Sequence, residues 1–186
     1  MQAGQTIRSP IITKKYMHNI NWNTVIETLI QPGVDVTTNL NSRKDDTSGY
    51  SEIYSNWKKA NFNMTAIKWT NYYPGVHFDS KVTDALAENL NVKVHRSWIS
   101  KINPGYFAPR HWDVDDNEQE YLLKGTPVRY SCFIEKPAHG HIFIVGDNYY
   151  YNQPQGTIVK WDNYKEWHSG INAGMTPKYM FHLLAY

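Results

Sequence analysis

The chain has 186 residues, 41% hydrophobic and 15% aromatic, with 19 basic and 17 acidic side chains that leave a net charge of +2. That length fits one domain with a sizeable core, and the apolar content excludes a disordered chain. Well-mixed charge leaves no footprint for nucleic acid or an anionic membrane surface.

No apolar run reaches transmembrane length. The first residues, MQAGQTIRSPIITKKYM, hold no stretch apolar enough for a signal peptide. The single cysteine, Cys132, has no internal disulfide partner. It reads as a small buried hydrophobe in a reducing compartment. A soluble, cytoplasmic protein is the expectation.

In chain order, Trp22, Val25, Ile26, Leu29 and Ile30 recur at helical spacing until Gln31-Pro32-Gly33 stops the pattern. NSRKDDTSGYS, residues 41–51, is a polar loop, and SEIYSNWKKANF after it forms a short helix. A further helix runs from about Ser80 to Asn91. It is capped by Ser80 or Asp79, with Val82, Ala85, Leu86 and Leu90 along one side.

From Val92 the character changes. VKVHRSWISKI, PVRYSCFIE, HIFIVG, GTIVKW, EWHSGI and PKYMFHLLAY are β-rich segments. Turn residues separate them at Asn103-Pro104-Gly105, Lys136-Pro137, Gly146-Asp147-Asn148 and Gln153-Pro154-Gln155-Gly156. Such spacing predicts a sandwich or barrel rather than a parallel α/β sheet. The expected organisation is one domain, 1–186, with no linker. A mostly helical support region, 1–91, would carry an antiparallel β core, 92–186.

The stretch PRHWDVDDNEQEY carries the first chemistry. Asp113, Asp115 and Asn117 fit the opening ligands of a calcium loop. Glu118 replaces the required glycine and Lys124 the closing glutamate, so that reading fails. In a strand, His111 and Asp113 point to the same side, where an imidazole and a carboxylate can share one ion. His168, on another predicted strand, is a candidate third ligand. Two histidines and one carboxylate leave three octahedral positions open, the facial triad of non-haem Fe(II) oxygenases. The bland alternative is a solvated turn at His111 and a satisfied core histidine at His168.

The stretch from about Trp98 to Tyr186 resembles the Fe(II)/2-oxoglutarate-dependent oxygenases, nearest their prolyl-hydroxylase-like and aspartyl/asparaginyl-hydroxylase-like branches. INPGYFAPRHWD is similar to the family's approach to its first ligand pair, and RYSCFIEKPAHGHIFI to the strand, turn and glycine-led strand that follow. QPQGTIVKWDNYKEWHSGIN resembles the glycine, apolar strand and distal histidine, and TPKYMFHLLAY the closing strand.

The resemblance implies a mainly β fold, a double-stranded β-helix (a jelly-roll, cupin-like barrel) with N-terminal helices. It implies Fe(II) held by His111, Asp113 and His168, with 2-oxoglutarate and O2 as co-substrates. It also implies hydroxylation of an unactivated C–H bond with release of succinate and carbon dioxide. Lys178 stands where the family brings a cation to the far carboxylate of 2-oxoglutarate; those branches usually have arginine there. Arg129 matches a second co-substrate residue of the aspartyl-hydroxylase-like branch, although Ser131 replaces the histidine that accompanies it. The substrate would be a small molecule, a peptide or a protein residue, with no nucleic acid or membrane partner. The alternatives are a cupin-type metal enzyme of another kind and a non-catalytic binding module.

The remaining candidates read as support. His139 and His141 are loop residues around a tight turn at Gly140, and His182 lines the barrel. His18, His77 and His95 have no ligand-like context. In DNYYYNQP, alternate tyrosines pack on the core with the middle one exposed, or the group forms a substrate platform. Asp115, Asp116, Glu118 and Glu120 are solvated, or rim a site for a cationic substrate.

Overall fold

The structure is a computed structural model that describes residues 19–29, 32–36, 50–112, 127–161 and 166–186. Its helices are α1 (Trp22–Glu27), α2 (Tyr50–Lys59) and α3 (Lys81–Leu90). Two short strands, β1 (Val34–Asp35) and β2 (Thr70–Tyr72), lie among them. Eight more follow: β3 (Val94–Ile102), β4 (Phe107–His111), β5 (Val128–Phe133), β6 (His141–Val145), β7 (Asn148–Tyr151), β8 (Ile158–Trp161), β9 (His168–Asn172) and β10 (Lys178–Ala185). The expected helices and β-rich segments recur, except that α1 ends at Glu27, short of Leu29, and β1 and β2 lie in the region expected to be mostly helical; Ile30 and residues 41–49 of the expected loop lie outside the described residues. Among the described residues no helix is long and apolar enough to cross a membrane.

Strand pairing defines the architecture. One sheet has the order β1-β2-β3-β10-β5-β8, the other β4-β9-β6-β7, and every pairing between these strands is antiparallel. β3 pairs with β10, β4 with β9, β5 with β8 and β6 with β7. The chain from β3 to β10 is therefore one long hairpin. It is wound so that successive turns also pair, β10 on β5 and β9 on β6. That winding is the double-stranded β-helix, a two-sheet jelly roll.

The outer face of the six-stranded sheet carries the larger core. Ile99, Tyr130, Cys132, Ile158, Phe181, Leu183 and Ala185 meet Trp22 and Val25 of α1 and Leu86 of α3. Asp79 Oδ1 accepts from Lys81 N at 2.9 Å, so the aspartate and not Ser80 caps α3 through its side chain. Asn91 closes the helix in the left-handed region (φ 53°). Burial pushes the Cys132 thiol up, which keeps it a protonated hydrophobe. α2 packs elsewhere: Trp57 joins Ile67, Trp69, Ile102 and Ala108 beneath β4.

Two expectations are corrected. In β7 the middle residue, Tyr150, is buried, while Tyr149 and Tyr151 are each 68% exposed. The phase is the reverse of the one expected, because Tyr150 pairs with inward-facing Phe143. Gly140 does make a tight turn (φ 84°). His141 is nevertheless a buried strand residue and not a loop residue. Its Nδ1 meets Glu135 Oε1 at 2.5 Å and its Nε2 meets Thr176 O at 2.9 Å, so the ring struts the turn before β10 against the end of β5.

Candidate functional site

A cavity of about 110 Å³ lies between the two sheets. Its wall on the six-stranded sheet consists of rungs, because residues two apart on a strand share a face and the register aligns them across strands. Ile102 and Lys178 form one rung, and Ser100, Met180 and Phe133 the next. Trp98, His182 and Ser131 follow, then Arg96, Leu184 and Arg129. The opposite wall brings His111, His168 and Gly170.

His111 faces inward because of a β-bulge. The β4–β9 ladder runs Phe107↔Ile171 and Ala108↔Gly170, then shifts, so that His111 pairs with His168. An unbroken ladder would oppose His111 to Trp167 and turn it to the other face, since a slip of one residue inverts a strand. Pro109, which has no N–H to give a ladder, lies in the irregular stretch. The two imidazoles stand with centroids 4.5 Å apart, His111 5% and His168 6% exposed.

His111 Nδ1 lies 2.6 Å from Pro109 O, and His168 Nδ1 3.0 Å from Glu166 O. A carbonyl only accepts, so each Nδ1 donates, and in the neutral ring Nε2 is then the atom with the lone pair. Anchoring one ring nitrogen on a backbone carbonyl is how metal-binding histidines are oriented. Indoles brace the pair. Trp69 stacks on His111 at 5.9 Å, and Trp57 meets it edge-on at 6.1 Å while donating to Arg110 O. Trp161 lies 5.8 Å from His168. Asp113 lies outside the described residues, as do Asp115, Asp116, Glu118, Glu120 and His18. Among the described residues, no third His, Cys, Asp or Glu joins the pair.

Lys178 points inward, as expected, and is 2% exposed. Its Nζ rests 2.9 Å from Met180 Sδ and 5.6 Å from the Phe143 ring centroid. Among the described residues no carboxylate lies in ion-pair range of it. Burial pulls its ammonium down to about 8, a drop that the more distant Glu135 carboxylate partly opposes. A Cβ at Gly170 would lie 2.8 Å from Ile102 Cδ1 and 3.7 Å from Nζ, so Ile102 already fills the space a side chain would need, and the β9 backbone passes close to the ammonium.

Arg129 is 4% exposed, its Cζ 5.2 Å from the Trp98 ring centroid and 6.0 Å from that of Trp161. His182 does line the cavity. It stacks on Trp98 at 5.2 Å, with Ser131 Oγ 2.7 Å from Nδ1 and Ser100 Oγ 2.8 Å from Nε2. Asn71 Oδ1, buried on the same wall, has no hydrogen-bond partner among the described residues. No Asp or Glu of the described residues lines this cavity.

Sequence reasoning missed Arg96, Trp98, Trp69 and Asn71, which take their places only through cross-strand register. It also missed the bulge, whose one signal is a proline inside a strand pattern.

No protein-family model matches the chain, and no curated protein matches it in sequence. Solved structures match the chain at low similarity. A viral collagen prolyl hydroxylase from Paramecium bursaria Chlorella virus-1, solved as a 2OG complex, is 13% identical over 63% of this chain and 77% of its own, with a TM-score of 0.45. A prolyl-4-hydroxylase from Pseudomonas putida is 11% identical over 88% and 97%, TM-score 0.41. A predicted oxalate decarboxylase from Thermotoga maritima is 13% identical over 63% and 80%, TM-score 0.38.

Proposed function

We propose that the chain is an Fe(II)/2-oxoglutarate-dependent oxygenase that hydroxylates an amino-acid residue, a peptide or a small metabolite. The observation that carries this reading is the pairing, in one cavity, of two carbonyl-anchored inward imidazoles with a fully buried lysine. The donor set fits a divalent first-row metal: two neutral imidazoles, with the Asp113 carboxylate two residues beyond His111.

The cation fits the far carboxylate of 2-oxoglutarate. Gly170 lies beside Lys178 Nζ, and His168 is one pleat away along β9, about 7 Å. A five-carbon diacid, about as long as two residues of extended chain, roughly 7 Å, matches that interval. When bound, the metal and 2-oxoglutarate supply O2 activation and C–H hydroxylation, with loss of carbon dioxide and succinate.

The protein's own part is positional. The Pro109 and Glu166 carbonyls hold the tautomer in which Nε2 is the ligand atom. Lys178 orients the diacid, and its desolvated ammonium supplies an attraction that bulk water would weaken. The indoles of Trp57, Trp69 and Trp161 pack against the two imidazoles, while Met180 and Phe143 enclose the Lys178 ammonium.

Succinate formation, read by NMR with anaerobically added Fe(II), ascorbate, 2-oxoglutarate and then air, tests the proposal. The expected result is slow, metal-dependent succinate release that disappears in His111→Ala/Asp113→Ala. No release, together with no 2-oxoglutarate binding when Mn(II) replaces iron, would sink the reading and leave a non-catalytic or differently reacting cupin-like protein.

A further inference from the structure

Lys178 lies between two anchored points of the backbone. On one side Thr176 O accepts from His141 Nε2 at 2.9 Å and from Asn172 Nδ2 at 2.8 Å. On the other, Tyr179 N donates to Glu135 Oε2 at 2.9 Å. Glu135 Oε1 in turn meets His141 Nδ1 at 2.5 Å, so one pair of side chains holds both points. Pro177, between them, fixes one more backbone torsion.

The sheet alone does not supply this hold. β10 pairs with β5 only from Met180 onward, opposite Phe133. Tyr179 N–H lies beyond that last rung, and the Glu135 carboxylate takes the place of the carbonyl that β5 no longer offers. His141 reaches the turn through the β6–β9 ladder, which pairs it with Asn172. Asn172 Nδ2 also donates to Ile102 O at 2.7 Å, which ties the same turn to β3.

The protons follow from the partners. A carbonyl only accepts, so His141 Nε2 donates to Thr176 O. Two lone pairs do not face each other at 2.5 Å, so a proton lies between His141 Nδ1 and Glu135 Oε1, shared by imidazole and carboxylate. All four polar atoms of the two side chains are thereby committed. A buried ion pair adds little net stability; what this one supplies is direction. Glu135 is also the carboxylate that acts on the Lys178 ammonium, opposing part of its desolvation.

We propose that Glu135 and His141 are the positioning pair of Lys178: they fix the entry of β10 so that the ammonium faces the far carboxylate of the diacid. This deepens the oxygenase reading and rests on it. Neither residue touches the co-substrate; both act through the lysine.

The probes are 2-oxoglutarate and 2-oxobutyrate, each titrated calorimetrically into protein loaded with Mn(II). 2-Oxobutyrate has the same keto-acid head and lacks the far carboxylate, so it does not engage Lys178. Glu135→Ala and His141→Ala should each weaken 2-oxoglutarate about ten- to a hundredfold, the range for removing a group that orients a ligating residue. Both should leave 2-oxobutyrate unmoved. Glu135→Gln can donate to Nδ1 of a neutral imidazole and accept from Tyr179 N, so it should keep most of the affinity. Thermal melts establish that the variants are folded at the titration temperature. The double variant Glu135→Met/His141→Leu leaves no charge unpaired, folds where a single alanine variant does not, and should show the same split between the two keto acids.

A second readout needs no ligand. In protein enriched with carbon-13 lysine, the Cε signal of Lys178 is assigned by its absence in Lys178→Met. It should move in both alanine variants and in the double variant.

Equal weakening of the two keto acids would mark general structural damage and overturn the proposal. So would alanine variants that bind 2-oxoglutarate like the wild type, or a Glu135→Gln as weak as Glu135→Ala. If the wild-type protein binds neither keto acid, the oxygenase reading fails by itself. The Lys178 signal then decides the positioning pair: a shift in the variants sustains it, and an unmoved signal removes it.

Discussion

The two faces of β10 differ in kind, although their residues alternate along eight positions. Tyr179, Phe181, Leu183 and Ala185 face the helices, and the last three are almost wholly buried. Lys178, Met180, His182 and Leu184 face the cavity and are also buried, yet two of them carry ionisable groups. The outer face does the work of a core, excluding water from apolar area. The inner face holds groups that cost free energy to bury; Ser100 and Ser131 answer that cost for His182, and the proposed co-substrate would answer it for Lys178. A single pleat thus separates stability from chemistry, and substitutions on the two faces should fail in different ways.

The largest effect belongs to the outer face. Phe181 is fully buried, with Trp22 and Phe78 rings each 5.9 Å away. Phe181→Ala should cost about 3–5 kcal/mol, read as a lower urea midpoint at unchanged slope. A cost below about 1 kcal/mol would mean that the outer face is not the main core.

Lys178→Met should do the opposite. Replacing a desolvated cation by an apolar side chain of similar length should leave stability unchanged or raise it by about 1–4 kcal/mol, while 2-oxoglutarate binding is lost. A strong destabilisation would instead mark Lys178 as a structural residue.

The same lysine predicts a pH dependence. Its folded pKa, about 8, lies below the ordinary lysine value. The unfolded chain therefore binds more protons between about pH 8 and the ordinary value. Stability should rise with pH across that window, by at most about 1.4 kcal/mol per pH unit, and stay flat below it. Affinity for 2-oxoglutarate should fall over the same window as the ammonium is lost. Chemical melts and calorimetry from pH 7 to 10, with Lys178→Met as the flat control, would reveal either trend.

The smallest change tests the support layer. Asp79→Ala removes the side-chain cap of α3 and should cost about 1 kcal/mol. Because α3 packs on the outer face among the described residues, ligand affinity should not move.

The strands were legible because turn residues bracket each one and the β-rich runs are short. His111 and His168 were legible as candidates, and so were Lys178 and Arg129 as inward cations, once the motif order was recognised. Phase was harder. In Tyr149-Tyr150-Tyr151 three identical residues carry no alternation, so nothing local says which faces in, and pairing with Phe143 decides it. His141 and Glu135 show another limit: their contact spans a turn, and sequence spacing says nothing about which side chains close across it. The Arg96–Trp98–Arg129 cluster needed the register of three strands, information that no single strand contains.

The irregular stretch of β4 around Pro109 and Arg110 has a consequence beyond geometry. With one residue more than its partner, the strand behaves like a message with a reading frame. Everything before the extra residue is read in one phase, and His111 after it in the other. Deleting Arg110 would change none of the proposed ligand side chains and would still leave a plausible strand. Yet it would shift the frame, turn the imidazole toward solvent and erase the site. In this chain the proposed metal site depends on the count of residues as much as on their identity.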